Sequence, residues 1–309
     1  MSSPNERVVQ LTMMGDSRFP DPFPPPFASA WGDDEFGLWI DIILPPSEFG
    51  ASVSQRLRWI EPGTFLMGSP DDEAERFYNE GPRHPVTITK GFWLAETVCT
   101  QEFWQTLLGN NPSRFTHDPQ NPVEQVNWNE VQAFLRQLES RLQGCHVGLP
   151  TEAEWEYACR AGTDTPFSLG KQITPEQVNY NGDFPYAGSQ KGLNREQTVP
   201  VKSFQANHWG LYEMHGNVWE WCADGQRNYD AEAKQDPVGP VDEGEKARRV
   251  VRGGSWIRYA GWTRSAKRET YHLNATRHYL GFRICLRSIL SRKRVDFKPY
   301  YESHSSSDA

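Results

Sequence analysis

The sequence has no run of about 18 consecutive apolar residues, so no segment is expected to span a membrane as a helix. Residues 1–26 contain no apolar stretch of the kind a secretory signal needs, and Asp16, Asp21 and several prolines interrupt them. The expected location is therefore cytoplasmic, with no membrane partner. Cysteine is scarce: Cys99, Cys145, Cys159, Cys222 and Cys285 are odd in number, far apart and in no Cys-x-x-Cys pair. That pattern agrees with a cytoplasmic address and reads as buried free thiols. Positive charge is in deficit, 32 Lys and Arg against 40 Asp and Glu, which argues against nucleic acid as a partner. The one basic run, Arg292-Lys293-Arg294, reads as part of a solvated polar tail. His-Glu-x-x-His, the P-loop and the Gly-x-Ser-x-Gly elbow are all missing. The eight histidines are scattered, and His215, beside a glycine turn, reads as a hydrogen-bonded structural residue rather than a base.

What the sequence does have is aromatic area. With 12 Trp, 16 Phe and 11 Tyr and a hydrophobic content of only 37%, the core must lean on rings, each burying more surface than an aliphatic side chain. The 25 Gly and 23 Pro are spread along the chain, as in a turn-rich globular fold. Residues 1–33 form a Pro-rich leader expected to be irregular, 34–290 a single domain and 291–309 a polar tail. Strands are expected at 36–44, 56–60, 64–67, 86–89 and 92–94, and the acidic stretch 71–80 as a surface loop. Three helices have visible starts. Thr100 precedes Phe103, Trp104, Leu107 and Leu108; Asn127 with Glu130 precedes Val131, Phe134, Leu135, Leu138 and Leu142. Thr151 with Glu154 opens the third, which is expected to stop at Gly162. Helical periodicity then disappears, so the fold class is α+β, rich in irregular loops.

Five segments occur in a fixed order. They are Gly63-Thr64-Phe65-Leu66-Met67-Gly68-Ser69, then Asn121-Pro122-Val123 with Val126-Asn127-Trp128, then Leu149-Pro150-Thr151-Glu152-Ala153-Glu154-Trp155-Glu156-Tyr157-Ala158. Gly210-Leu211-Tyr212 follows with Gly216-Asn217-Val218-Trp219-Glu220-Trp221, and last Arg252-Gly253-Gly254-Ser255-Trp256, closed by Gly281-Phe282-Arg283. In order and spacing these resemble the formylglycine-generating enzyme (sulfatase-modifying factor) family across roughly residues 58–286. The resemblance implies that family's compact variant of the C-type-lectin fold. Physical reading gives most of these residues structural work. Glu152, Glu154 and Glu156 suit a helix start, Trp155, Trp219 and Trp221 a core, and Gly253-Gly254 an unusual backbone turn.

The resemblance also implies a metal. Calcium takes hard oxygen ligands from a flexible loop, and the family pattern carries over to the carbonyls of Glu213, Gly216 and Val218 with the carboxylate of Glu220. A second site would use Asn179 and Tyr180; its remaining ligands fall near Leu193 and Arg195, where the expected Asp is missing. Copper is not expected. The family's oxidase holds Cu(I) on two soft thiolates that follow the Arg-Gly-Gly-Ser turn, and here residues 257–263 contain no cysteine.

The replacing segment suits binding. It offers Trp256, Ile257, Arg258, Tyr259, Trp262, Lys267, Glu269, Tyr271, His272, Asn274, His278 and Tyr279, and Tyr, Trp and Arg are the residues that dominate binding hot spots. They alternate with Arg264-Ser265-Ala266, Arg268, Arg277 and Gly281-Phe282-Arg283. This resembles the variable region of diversity-generating retroelement target proteins, apart from the longer tail, 286–309. The expected function is a non-catalytic ligand-binding protein with a protein or other macromolecular partner. The competing expectations are a divergent oxidase of the family and a scaffolding subunit.

Overall fold

The computed structural model describes residues 18–46, 51–242, 244 and 246–289. The basic run, residues 1–17 of the leader and the whole tail 291–309 lie outside them. The expected helix starts are found, each with its mechanism. α1 (Gln101–Leu108) is capped by Thr100, whose hydroxyl accepts from Phe103 N, and α2 (Trp128–Glu139) opens with a complete capping box from Asn127 and Glu130. α3 (Glu152–Arg160) has a second box from Thr151 and Glu154. Two ends differ from expectation. α2 stops before Leu142, and α3 is terminated by Ala161 in the left-handed region (φ 45°) one residue ahead of Gly162.

The leader is less irregular than its prolines suggest. β1 (Ala30–Asp34) begins inside it and forms a hairpin with β2 (Gly37–Leu44). β3 (Val53–Ile60), β6 (Phe92–Ala95), β13 (Cys285–Ser288) and β7 (Cys145–Gly148) complete a six-stranded sheet ordered β1-β2-β3-β6-β13-β7. A second sheet is ordered β11-β10-β8-β12, from β8 (Trp219–Trp221), β10 (Arg248–Arg252), β11 (Arg268–His272) and β12 (Leu280–Phe282). A third joins β4 (Gly63–Met67), β5 (His84–Ile88) and β9 (Lys234–Gln235). The result is α+β with most of 161–218 outside regular structure.

The main core packs α1 and α2 on the six-stranded sheet. Phe103, Trp104, Val131, Phe134, Leu135 and Leu138 meet Trp93 and Leu286, and Trp219, Trp221 and Phe282 join from the second sheet. Trp104 stacks on Phe134 at 4.9 Å between centroids, and Phe282 meets both rings edge-on. All five cysteines are buried free thiols.

The acidic stretch 71–80 is largely the surface loop expected, except at two carboxylates. Glu80 is fully buried and Glu73 is turned inward, because both carboxylates meet Arg264.

Candidate functional site

The segment 253–283 hangs on the second sheet and is fixed by buried charge. Gly254 turns the chain at φ 74°, and a Cβ there would lie 2.7 Å from both Trp262 O and Thr263 Cγ2. Arg264 donates to Glu73 at 2.5 Å and to both oxygens of Glu80 at 2.8 Å. Arg268 grips Glu152 in a fork, its Nε 2.7 Å from Oε1. Arg252 is paired with Glu156, which also receives Arg160 and the backbone N of Gly68. Arg283 forks onto Glu220 at 2.9 and 3.1 Å. These arginines and Glu80, Glu152, Glu156 and Glu220 are all buried, and bidentate geometry is what offsets the desolvation of such pairs. Glu152 lies in the first turn of α3 as expected, and Glu152 and Glu156 also serve as counter-ions for Arg268 and Arg252, far away in sequence.

On this frame the candidate residues form a ladder of rings and cations. Arg258 lies 4.7 Å over Trp262 and 5.8 Å over Tyr279, and reaches the Tyr271 hydroxyl at 3.5 Å. Tyr279 meets His278 edge-on, His278 meets Trp256, and both contact Phe115. The Lys267 ammonium also lies over Trp262, at 4.2 Å, and 3.3 Å over Phe77.

Two candidates are therefore corrected. Trp256 (7% exposed) and Lys267 (2%) are buried and cannot meet a partner directly. Trp256 is held by Phe115 and by a hydrogen bond to His278 O, while Lys267 is sealed between two rings, and burial lowers its ammonium to about 8. Arg258, Trp262, Glu269, Tyr271, His278 and Tyr279 are half-buried; Ile257, Tyr259, His272 and Asn274 are exposed. His272 ends β11, and Asn274, two residues further on, accepts from the side chain of Asn129.

Sequence reasoning missed several participants. Phe184, 45% exposed, stacks on Tyr259 at 4.1 Å between centroids, and Ala260 N donates to Phe184 O, so the loop 181–192 belongs to the face. Phe77 and Phe115 come from two further loops. At the foot of the ladder, Trp219 Nε1, Ser255 Oγ and Arg258 Nε are buried with no hydrogen-bond partner. Such atoms are rare in native structures because each forfeits its hydration. Trp219 lies 6.4 Å from Trp262, the ring that carries Arg258. His215 has the structural role expected of it. Its Nδ1 meets Thr263 O at 2.7 Å, Ser168 N donates to its Nε2, and burial lowers it to about 4.

A family model for the sulfatase-modifying factor enzyme 1-like domain matches residues 48–288. The chain belongs to that family. It is 34% identical over 228 residues to a formylglycine-generating enzyme of Streptomyces coelicolor, covering 68% of this chain and 69% of the relative. It spans about half the length of the bovine and murine formylglycine-generating enzymes. Among solved structures it resembles variable protein 1 of Treponema denticola (TM-score 0.65, 27% identity, 79% of this chain and 98% of that one). It also resembles PvdO from Pseudomonas aeruginosa (TM-score 0.64, 26% identity, 84% and 98%). The fold is thus the formylglycine-generating-enzyme-like one expected.

The family's implied calcium ligands can be tested against this arrangement. Both oxygens of Glu220 are already engaged, one by Arg283 and the other by Arg283 and Trp155 Nε1 at 2.8 Å. A carboxylate neutralised by a buried guanidinium does not fit a divalent cation, so Glu220 is a structural counter-ion. Gly216 N donates to Gly253 O, tying the loop 213–218, with Val218, to the glycine turn. Glu213, expected to offer its carbonyl, has its carboxyl turned to the backbone N of Lys202 at 3.1 Å, and burial raises that carboxyl to about 7. Asn179 spends its amide on Gln197 O and Asn217 Oδ1, leaving its own Oδ1 buried without a partner among the described residues. Tyr180 next to it is a core residue whose hydroxyl donates to Ile173 O. Among the described residues, no group of three or more His, Cys, Asp or Glu is placed to hold a metal.

Proposed function

We propose that this chain is a ligand-binding protein on the family's fold, recognising a protein partner through the face built from 256–279 and the Phe184 loop. The observation that carries this reading is an exposed aromatic pair, Phe184 and Tyr259, next to Arg258, which is half-buried over the rings of Trp262 and Tyr279 and has no ion pair among the described residues. A guanidinium without a carboxylate favours a partner that brings a carbonyl or carboxylate oxygen, while the rings supply apolar area. Arginine and aromatic residues stand where the family's oxidases place two thiolates, so thiolate-held copper chemistry is not part of this proposal.

A random-peptide display selection on the purified chain, followed by binding measurements on Arg258→Ala and Tyr259→Ala, tests it. Selected peptides should lose at least about tenfold in affinity to each variant, with the melting temperature nearly unchanged. Peptides indifferent to both substitutions would overturn the assignment. So would conversion of a Cys-x-Pro-x-Arg peptide to its aldehyde in the presence of copper.

The similarity to a variable protein supports a finer reading, in which a retroelement diversifies this face. Its test is the flanking DNA. A near-copy of the segment encoding 256–283, mismatched mainly at adenines and beside a reverse transcriptase gene, is the expected finding; absence of both removes diversification and leaves a fixed-partner binding role.

A further inference from the structure

A second cleft lies on a different part of the molecule. It is formed by the β1–β2 turn, the turn after β3, α3 and the loop at Trp209, and encloses about 680 Å³. Its walls are aromatic: Phe36, Trp59, Tyr157 and Trp209. Trp209 and Tyr157 pack edge-to-face at 4.8 Å, and the Tyr157 hydroxyl donates to Glu61 O at 3.2 Å, fixing the turn that carries Glu61. The Trp59 indole donates to Arg18 O at 2.7 Å, which fixes that wall as well.

The charge on this cleft is one-sided. Asp33, Asp34, Glu35 and Glu61 line it against one guanidinium, Arg18. Asp34 is committed to Arg58 at 2.6 Å. Asp33, Glu35 and Glu61 are exposed, and none has an ion pair within 4.0 Å among the described residues. Aromatic faces attract cations through their quadrupole, and carboxylates accept a guanidinium fork. A neutral or acidic occupant would leave three like charges facing it without compensation.

We propose that this cleft docks a basic segment of a protein partner, with an arginine side chain inserted between the aromatic walls and its guanidinium turned to Glu61 and the β1–β2 turn. Arginine suits the site better than lysine because its planar head stacks on rings while donating sideways. The assignment is independent of the 256–279 face, since the two share no residue.

The test uses a fluorescein-labelled peptide, acetyl-Gly-Arg-Gly-Arg-Gly-amide, with its citrulline analogue and free arginine amide as comparisons. The arginine peptide should bind, weaken with salt, and lose about fivefold for Glu61→Gln and more for Asp33→Asn/Glu35→Gln combined. Trp209→Phe should weaken binding less than Trp209→Ala, and Tyr259→Ala should leave it unchanged. These acidic positions are exposed, so their amides keep the fold. Equal binding of the citrulline peptide would overturn the proposal, as would indifference to the carboxylate substitutions. Free arginine amide binding as tightly as the peptide would overturn the peptide occupant. Loss on Tyr259→Ala would show that the peptide binds the other face.

Discussion

Arg258 and Arg264 lie six residues apart in one loop and have opposite surroundings. Arg264 is fully buried, its guanidinium consumed by Glu73, Glu80 and the carbonyls of Glu75 and Gly261. Arg258 is half-buried, has no carboxylate within ion-pair distance among the described residues, and lies between rings with its Nε unsatisfied. The same contrast runs through the whole segment. Arg252, Arg268 and Arg283 lock the chain to acids from α3 and β8, and the positions between them include half-buried and exposed rings and the cation Arg258, which no carboxylate locks among the described residues. A rigid charged frame lets the intervening side chains change without loss of the fold, because their neighbours do not depend on them for neutralisation.

Breaking the frame should have the largest effect. Arg264→Ala leaves Glu80 buried without a counter-ion, and a loss of about 3–5 kcal/mol is expected in urea unfolding. Replacing Arg264, Glu73 and Glu80 together by Met, which removes both carboxylates that Arg264 neutralises, should recover most of that loss. A small effect of Arg264→Ala alone would mean that the frame is not what holds the loop.

Lys267 sharpens the comparison, because it is a buried cation with no ion pair among the described residues. Its folded ammonium is lowered from 10.5 to about 8 by burial. Between those values the unfolded chain binds the proton more readily, so stability rises with pH across that window. Below about 8 the full cost is present, partly offset by the Phe77 and Trp262 rings. Lys267→Met should therefore stabilise the protein at neutral pH by about 1–2 kcal/mol, and the difference should close towards pH 10.5. A difference that stays constant with pH would show that the ammonium is not desolvated.

Substitutions on the exposed layer should matter least to stability. Tyr259→Ala is expected to change unfolding by less than about 1 kcal/mol, since the residue is 48% exposed and loses chiefly its stack on Phe184. A cost above about 3 kcal/mol would make it a core residue. Smallest of all, added calcium should move the melting temperature by under about 2 °C, because Glu220 is already neutralised. A larger shift would mean that Arg283 gives way to the ion.

Local signals in the chain were readable wherever the physics is local. Thr100, Asn127 and Thr151 announce helix starts because a cap is satisfied within three residues. Gly253-Gly254 announces the turn because only glycine takes that backbone cheaply. The leader was harder to read. Prolines concealed the hairpin of β1 with β2, whose first strand, Ala30–Asp34, is mostly polar and carries little alternation. In the acidic stretch, nothing nearby in sequence shows that Glu73 and Glu80 face inward, since their partner is more than 180 residues away.

The sequence by itself determined the family, the α+β class, the helix starts, the absence of thiols from the 257–263 window and the clustering of Tyr, Trp and Arg within 256–279. Tertiary structure alone decided which of those side chains are available. It buried Trp256 and Lys267, brought Phe184, Phe77 and Phe115 to the face from three other loops, and gave Glu220 to Arg283 rather than leaving it for a metal. The physical reason is that exposure and counter-ion pairing depend on contacts between distant segments. Caps and turns are settled within a few residues, whereas the partner of a buried charge can come from anywhere in the chain.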